Sequence, residues 1–407
     1  MDNAPRNEFA GQTKLLFQVA LLIFVFTVTV GIMNGSDHVT FSRKAILTHV
    51  HVGTLGWITM CVMASSLWML GDSAMSAAER KLVKTLSLVT AVVIPAYAFT
   101  FFLTFGTMRP AMGTLALLVI TAFFVWAASR MRKVTVSVPR LALFAALATS
   151  FTGAILGVLL GLQFAGDIDF MPSGIKDAHP ATMVVGFLVP VGMGLAEWGL
   201  LKGRCDIPAT RAGKFQVGLP FTGGVMIMIG TLWDITPLLM LSLPFEIVGI
   251  GIFIKRMWPN IRATSFSDRL GGRHFVMSMA YIVINLGILV YLLGRFAGDF
   301  DSAPRHTILA LDHTMFIGVM TNAIVGIIGA TSRRRSTMWP WVEDVLFWGL
   351  NIGITGFFLG LLANLTITKQ AFTPLMGLSI LLAIVTFTAR LQLPGGDEPA
   401  AEAARAA

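Results

Sequence analysis

The sequence predicts an all-α polytopic membrane protein of twelve transmembrane helices. Its 407 residues are 55% hydrophobic and only 13% charged, against roughly half apolar and about a quarter charged in an average soluble domain. Mean hydropathy is +0.77. Apolar runs, each near the ~20 residues needed to cross ~30 Å of hydrocarbon, fill almost the whole chain between Leu15 and Leu391. Together these exclude a water-soluble enzyme.

The first span, 14–34, follows Arg6 and Lys14. Its apolar core from Leu15 to Met33 is too long for a signal peptide and ends in no small-residue cleavage site, so it reads as retained. Spans 45–70, 84–106 and 111–130 come next, then 139–164, 180–201, 214–233 and 236–254, and finally 274–295, 307–331, 340–364 and 370–391. No soluble domain fits between them, so residues 1–392 form one transmembrane domain. The tail 393–407, with Pro394, Gly395, Gly396 and an alanine-rich end, lacks the apolar surface to order itself.

The formal charge of +9 comes from topology. Lys and Arg, counted with the residues bordering each connection, number 19 after even-numbered spans and 7 after odd ones. Asp37, Asp167, Asp169, Asp177, Asp234, Asp299 and Asp301 all fall on the other side. The positive-inside rule then puts both termini in the cytoplasm. Because the basic surplus is topogenic, the lipid bilayer is the expected partner and nucleic acid is not. Cys61 and Cys205 have no paired spacing and receive no role.

One repeat locates the chemistry. Phe164-Ala165-Gly166-Asp167-Ile168-Asp169 recurs as Phe296-Ala297-Gly298-Asp299-Phe300-Asp301, and 22 residues after each Phe stands Gly186 or Gly318. Asn34-Gly35-Ser36-Asp37 precedes Gly56 in the same register. The offsets between the aligned aspartates are 130 and 132 residues, close to four spans each, which predicts three pseudo-equivalent four-helix units at about 14–133, 139–262 and 274–391. Spans 2, 6 and 10 are then equivalent, and they carry His49, His51, His179 and His313 in their first turns on the outward side.

Ionisable groups within a bilayer are candidates for function. Neutral imidazole is a common metal ligand, and haem iron accepts axial histidines from facing helices. His49 and His51 cannot chelate one ion on a regular helix, because residues two apart point about 200° apart, so they face different partners. Gly56 and Gly318, five residues after His51 and His313, would let a flat macrocycle approach, with Trp57, Phe187 and Phe316 at its edge. Plainer readings stand beside these. His179-Pro180 also suits a helix start, and His51 with His313 an interhelical hydrogen bond. His38, His274 and His306 sit at span ends and read as solvated. Glu197, Glu246, Glu343, Asp344, Asn285, Asn322 and Asn351 serve either a proton path or interhelical hydrogen bonding, and Asp312 stands beside His313.

Twelve spans in quartets, with Thr48-His49-Val50-His51-Val52-Gly53-Thr54-Leu55-Gly56-Trp57, His179-Pro180 and His313-Thr314-Met315-Phe316-Ile317-Gly318, resemble subunit I of the haem–copper oxidase superfamily. The first and last segments also look like the NnrS family, haem-binding membrane proteins linked to nitric oxide metabolism. The resemblance implies a b-type haem held between His51 and His313. It also implies a metal, copper or a second haem, at His179 with His49 as companion, and a quinol or cytochrome as electron donor. Departures matter equally. The seventh span, Lys214 to Trp233, has no histidine, the tenth has one buried histidine in place of a close pair, and Ala181, Thr182 and Met183 offer no tyrosine. A standard oxygen-reducing copper site therefore cannot form. The Phe-, Arg- and Pro-rich N-terminal motif of NnrS proteins is also missing from Asn7 to Leu22. Whether the chain turns over is open; if it does, it is an oxidoreductase. The competing classes are a cofactor-free transporter, and a haem sensor or assembly factor without turnover.

Overall fold

A chain in hydrocarbon has no water for its peptide groups and must close its backbone hydrogen bonds internally. The computed structural model does this with helices alone. It describes residues 8–71, 75–103, 106–166, 168–267, 269, 271–297, 299–331 and 339–391, and among them there is no strand. Asp167 and Gly298 of the repeat and the tail 393–407 lie outside the described residues.

Twelve helices are long and apolar enough to cross a membrane. They are α1 (Ala10–Gly35), α2 (Arg43–Leu70), α3 (Ala77–Leu103), α4 (Met108–Met131), α5 (Val138–Gly166), α6 (Ile175–Leu200), α7 (Arg211–Leu232), α8 (Thr236–Ala263), α9 (Gly272–Phe296), α10 (Arg305–Thr331), α11 (Trp341–Leu362) and α12 (Thr366–Arg390). Several outrun their apolar cores. Hydropathy ends the eighth span at 254, but Lys255, Arg256 and Met257 are good helix formers and the helix continues to Ala263. Ser42 caps α2 by accepting from the Ala45 N–H at 3.4 Å, and Thr210 caps α7 by accepting from Gly213 at 3.2 Å. Gly271, before α9, has φ 94°, and a Cβ there would lie 2.8 Å from the Gly326 carbonyl oxygen.

Helices α2, α6 and α10 stand inside a ring made by the others. α10 touches both α2 and α6, while α1 packs on α12, α3 on α4, α4 on α5, α5 on α7, α7 on α8 and α8 on α9. The hydrophobic window of α6 is 89% buried and that of α10 78%, against 39% for α3, α4 and α8. Small residues set the close contacts, as expected where lipid supplies no hydrophobic drive between helices. A Cβ on Gly224 of α7 would fall inside the van der Waals envelope of Gly186 Cα on α6.

Each inner helix widens to π-helical winding in one stretch, Val52–Thr59 in α2, Thr182–Phe187 in α6 and Thr314–Thr321 in α10. Such winding displaces the usual carbonyl partners, and side chains take some of them up. Thr59 donates its hydroxyl to Thr54 O at 2.9 Å and Thr321 to Phe316 O at 3.0 Å, both five residues back. Thr149 of α5 donates to Gly186 O at 2.7 Å, and Asn322 Nδ2 to Gly318 O at 2.9 Å. The three stretches recur every fourth span and contain the glycines Gly56, Gly186 and Gly318 that the repeat aligns.

The end of the bundle rich in Lys and Arg is tied by arginines. Arg130 donates to Leu70 O, the C-terminus of α2, from Nε at 3.2 Å and Nη2 at 3.1 Å. Arg140 donates to Met69 O at 2.9 Å and Cys205 O at 3.0 Å. Glu197 pairs with Arg256 at 2.8 Å and Asp344 with Arg273 at 2.8 Å, while Arg390 pairs with Glu343. Of the two roles open to Glu197, Glu343 and Asp344, interhelical pairing is the one the structure supplies. At the other, acidic end, Lys369 of α12 donates to Asp37 at 2.8 Å and Gln370 at 3.0 Å. The Lys369 hydrogen bond is the main reason the Asp37 carboxyl lies below its ordinary value of 3.8.

Gly224→Val should overpack the α6–α7 seam at a cost of about 1–3 kcal/mol, read as a lower melting temperature of detergent-solubilised protein. Asp37→Asn tests the acidic end. Because the folded carboxyl is depressed, its contribution is fully present above the ordinary carboxylate range and disappears as pH falls through the folded value. The melting-temperature gap between wild type and Asp37→Asn should therefore be present near neutral pH and close in acid.

Candidate functional site

The four imidazoles share one arrangement. His49 Nδ1 lies 2.9 Å from Thr27 O of α1, and His179 Nδ1 2.9 Å from Gly153 O of α5. His51 Nδ1 lies 2.8 Å from Leu47 O and His313 Nδ1 2.8 Å from Leu309 O, each one turn back on its own helix. A carbonyl only accepts, so every Nδ1 carries the hydrogen and every Nε2 presents a lone pair. No hydrogen bond to these Nε2 atoms occurs among the described residues. All four side chains are half-buried although they lie within membrane-crossing helices. Second-nitrogen anchoring of this kind sets the tautomer and ring orientation of a metal-ligating histidine.

The structure sorts the four into two pairs. His49 is within electrostatic reach of His313, and His51 within reach of His179 and Arg109. The His51 ring stacks on Phe101 of α3, centroids 3.6 Å apart and planes at 16°, whereas His313 lies 4.9 Å from Phe357 of α11. The sequence reading put His51 and His313 on one disc. His49 also comes within electrostatic reach of His313, and because positions two apart face opposite sides of α2, His49 turns to α1, where Thr27 O holds it, and His51 to α3, where Phe101 stacks on it. Glycines admit the rings. A Cβ on Gly31 of α1 would lie 3.3 Å from His49 Cε1, and one on Gly157 of α5 would lie 2.8 Å from His179 Cε1.

The glycines and aromatics singled out from sequence do other work. Gly56 receives the Ile23 side chain and Gly318 the Tyr281 ring. Trp57 stacks on Phe24 at 4.3 Å with planes 3° apart and donates Nε1–H to Thr321 at 3.2 Å, and Phe187 is buried in the core. Phe101 and Phe357, which no motif marked, are the rings beside the imidazoles. Copper finds no cage, since among the described residues no three His, Cys, Asp or Glu side chains come together as a metal site.

His274 departs most from its solvated reading. It is 2% exposed, its Nδ1 is 2.9 Å from Asn322 Oδ1, and its Nε2 is buried with no partner. Asn322 Nδ2 donates to Asn351 Oδ1 at 3.0 Å, and Tyr281 OH donates to Asn351 O at 2.9 Å. Span-end position concealed this role, because the polar partners come from α10 and α11. His38 is exposed and His306 half-exposed, as expected of span ends. Glu246 is buried beside Gly223, and its Oε1 has no partner.

No protein-family model matches the sequence, and no curated protein matches it. Fold and site define a class: a polytopic helical membrane protein with two pairs of anchored imidazoles near one end of its inner helices.

Asn322→Leu would strand His274 Nδ1 and Asn351 Oδ1 in the core. At roughly 1–3 kcal/mol for each unpaired buried group, it should lower the melting temperature clearly more than Asn260→Ala at the lipid-side end of α8, whose Nδ2 makes a single bond to Leu200 O at 3.2 Å.

Proposed function

We propose that the chain is a haem-binding membrane protein of oxidase-like, NnrS-like type, acting in nitric oxide metabolism or membrane redox chemistry. It would work at the outer face of a bacterial inner membrane with a quinol or cytochrome as electron donor. The observation that carries the reading is the common state of His49 and His313: facing helices, Nδ1 tied to a carbonyl, Nε2 lone pair unused.

The donor set fits a b-type haem. His49 of α2 and His313 of α10 would hold it, Gly31 admits the His49 ring against α1, and Phe357 lies beside His313 as an apolar neighbour. When bound, haem would supply one-electron chemistry. The protein's own residues hold and orient. Thr27 O and Leu309 O fix the ring tautomers. The imidazoles lie toward one end of the bundle, away from the midplane where transporters gather their polar groups.

Detergent-purified protein should show sharp reduced-minus-oxidised absorption bands, and His49→Ala and His313→Ala should each remove the bands of this centre. A colourless wild type would defeat the proposal and favour a transporter. Bands that survive both substitutions would show that other residues hold the iron.

A further inference from the structure

Two roles are open to an acid embedded in the membrane, a proton path or interhelical pairing, and the structure gives an arginine to Glu197, Glu343 and Asp344. Glu246 receives none. It stands near the middle of the apolar span 236–254 of α8 and is 1% exposed. Oε1 is buried without a hydrogen-bond partner, and no hydrogen bond or ion pair to Oε2 occurs among the described residues. None of the titratable groups of α6, α7 and α9, the helices packed on α8, comes within electrostatic reach of it. Asp312 also lacks an ion pair among the described residues, but it is half-buried and lies only two turns from the outer end of α10.

The backbone around this carboxyl is interrupted on both helices of the hairpin. Gly223 of α7 faces it, and a Cβ there would lie 2.7 Å from Oε1. Pro220 lies inside α7 three residues before Gly223, and Pro244 inside α8 two residues before Glu246. Each proline withdraws one N–H from its helix, so the carbonyl four residues back, Gln216 O or Met240 O, loses its usual donor. Within a membrane protein such carbonyls are met by neighbouring side chains or by ordered water. The Pro220 ring is itself seated on Gly249, less than one turn after Glu246. The hairpin is thus loosened where the carboxyl lies.

An isolated ionised carboxylate in hydrocarbon costs far more than the neutral acid, so a carboxyl kept there holds either a proton or a cation. A cation matches poorly. Hard metal ions need several oxygen ligands, but among the described residues no three His, Cys, Asp or Glu side chains gather, and the hydroxyl one turn back, Ser242, donates to Leu239 O. A proton needs only one oxygen.

We propose that Glu246 is a proton-binding site within the bilayer, whose carboxyl exchanges its proton with water admitted along the proline-loosened α7–α8 hairpin. The site is independent of the haem reading and survives its failure. Infrared spectra of intact purified protein test it, as the difference between wild type and Glu246→Gln. Near neutral pH that difference should hold a carboxylic-acid C=O stretch, which moves to lower frequency in D2O while the amide II band shows the helix N–H groups still unexchanged. A carboxylate stretch in its place makes the occupant a cation and overturns the proposal. An acid stretch that moves only as the helix amides exchange marks a sealed structural acid, which overturns it too. Where Glu246→Gln does not fold, labelling of wild type with dicyclohexylcarbodiimide decides the matter. The acid gives its proton to a carbodiimide nitrogen and bonds through oxygen to the central carbon, and the adduct rearranges to an N-acylurea that peptide mass spectrometry locates. Modified Glu246 supports the site, and unmodified Glu246 in a sample whose other carboxyls react overturns it.

Discussion

A backbone carbonyl facing each imidazole Nδ1 is the constraint from which the rest of the site follows. In water a histidine interconverts between tautomers and turns freely. In a helix bundle, a carbonyl at 2.8–2.9 Å admits only the N–H form and leaves Nε2 as a fixed lone pair. Two of the four carbonyls, Leu47 O and Leu309 O, belong to the histidine's own helix, and the other two, Thr27 O and Gly153 O, to a neighbour. Supply from the same helix is available because a helical carbonyl has a second lone pair free for a side chain one turn on. In α2 and α10 the π-helical stretch begins at the residue after His51 and His313, and in α6 it begins at Thr182, shortly after His179.

Helical geometry then decides which imidazoles meet. One residue between His49 and His51 is enough to put them on opposite sides of α2, so that helix can serve two neighbours at once and neither can serve both. The ring of outer helices turns this into separate surroundings: α1 and α11 at one pair, α3, α4 and α5 at the other. The arginine ties at the basic end, Arg130 and Arg140 to the end of α2 and Arg256 to Glu197 of α6, hold the inner helices where their acidic-end turns confront each other. Stability and the candidate chemistry thus sit at opposite ends of the same three helices.

Much of this was legible in the residues. Hydropathy located every crossing, since an apolar run of sufficient length has few other uses, and the Phe-Ala-Gly-Asp repeat pointed to spans 2, 6 and 10 as a set. The His49-Val50-His51 spacing already required two partners. What one dimension withheld was which partner each would take, because the pairing depends on the rotation of α2 about its axis. Gly56, Gly318 and Trp57 turned out to pack against Ile23, Tyr281 and Phe24 for a related reason. Proximity in sequence to a histidine says nothing about the side of the helix on which a residue lies, and the useful glycines, Gly31 and Gly157, come from α1 and α5. His274 and Asn322 are 48 residues apart, so a buried polar network between them has no local signature.

The unequal fate of the three inner gaps follows from the same packing physics. At His49 and His179 the facing outer helix presents a glycine, Gly31 or Gly157, and the ring takes the place of a side chain. Where Leu311 replaces it, no polar atom needs a partner, and the helices close on one another through Gly186, Gly224 and the Tyr281 ring. A gap lined by apolar groups in a bilayer fills with protein because nothing resists contact. A gap that holds imidazole nitrogens is not satisfied by closure alone, since the backbone groups of α-helices are already largely engaged with one another. The two gaps that keep histidines are therefore the ones in which polar side-chain atoms remain between the inner helices and their neighbours.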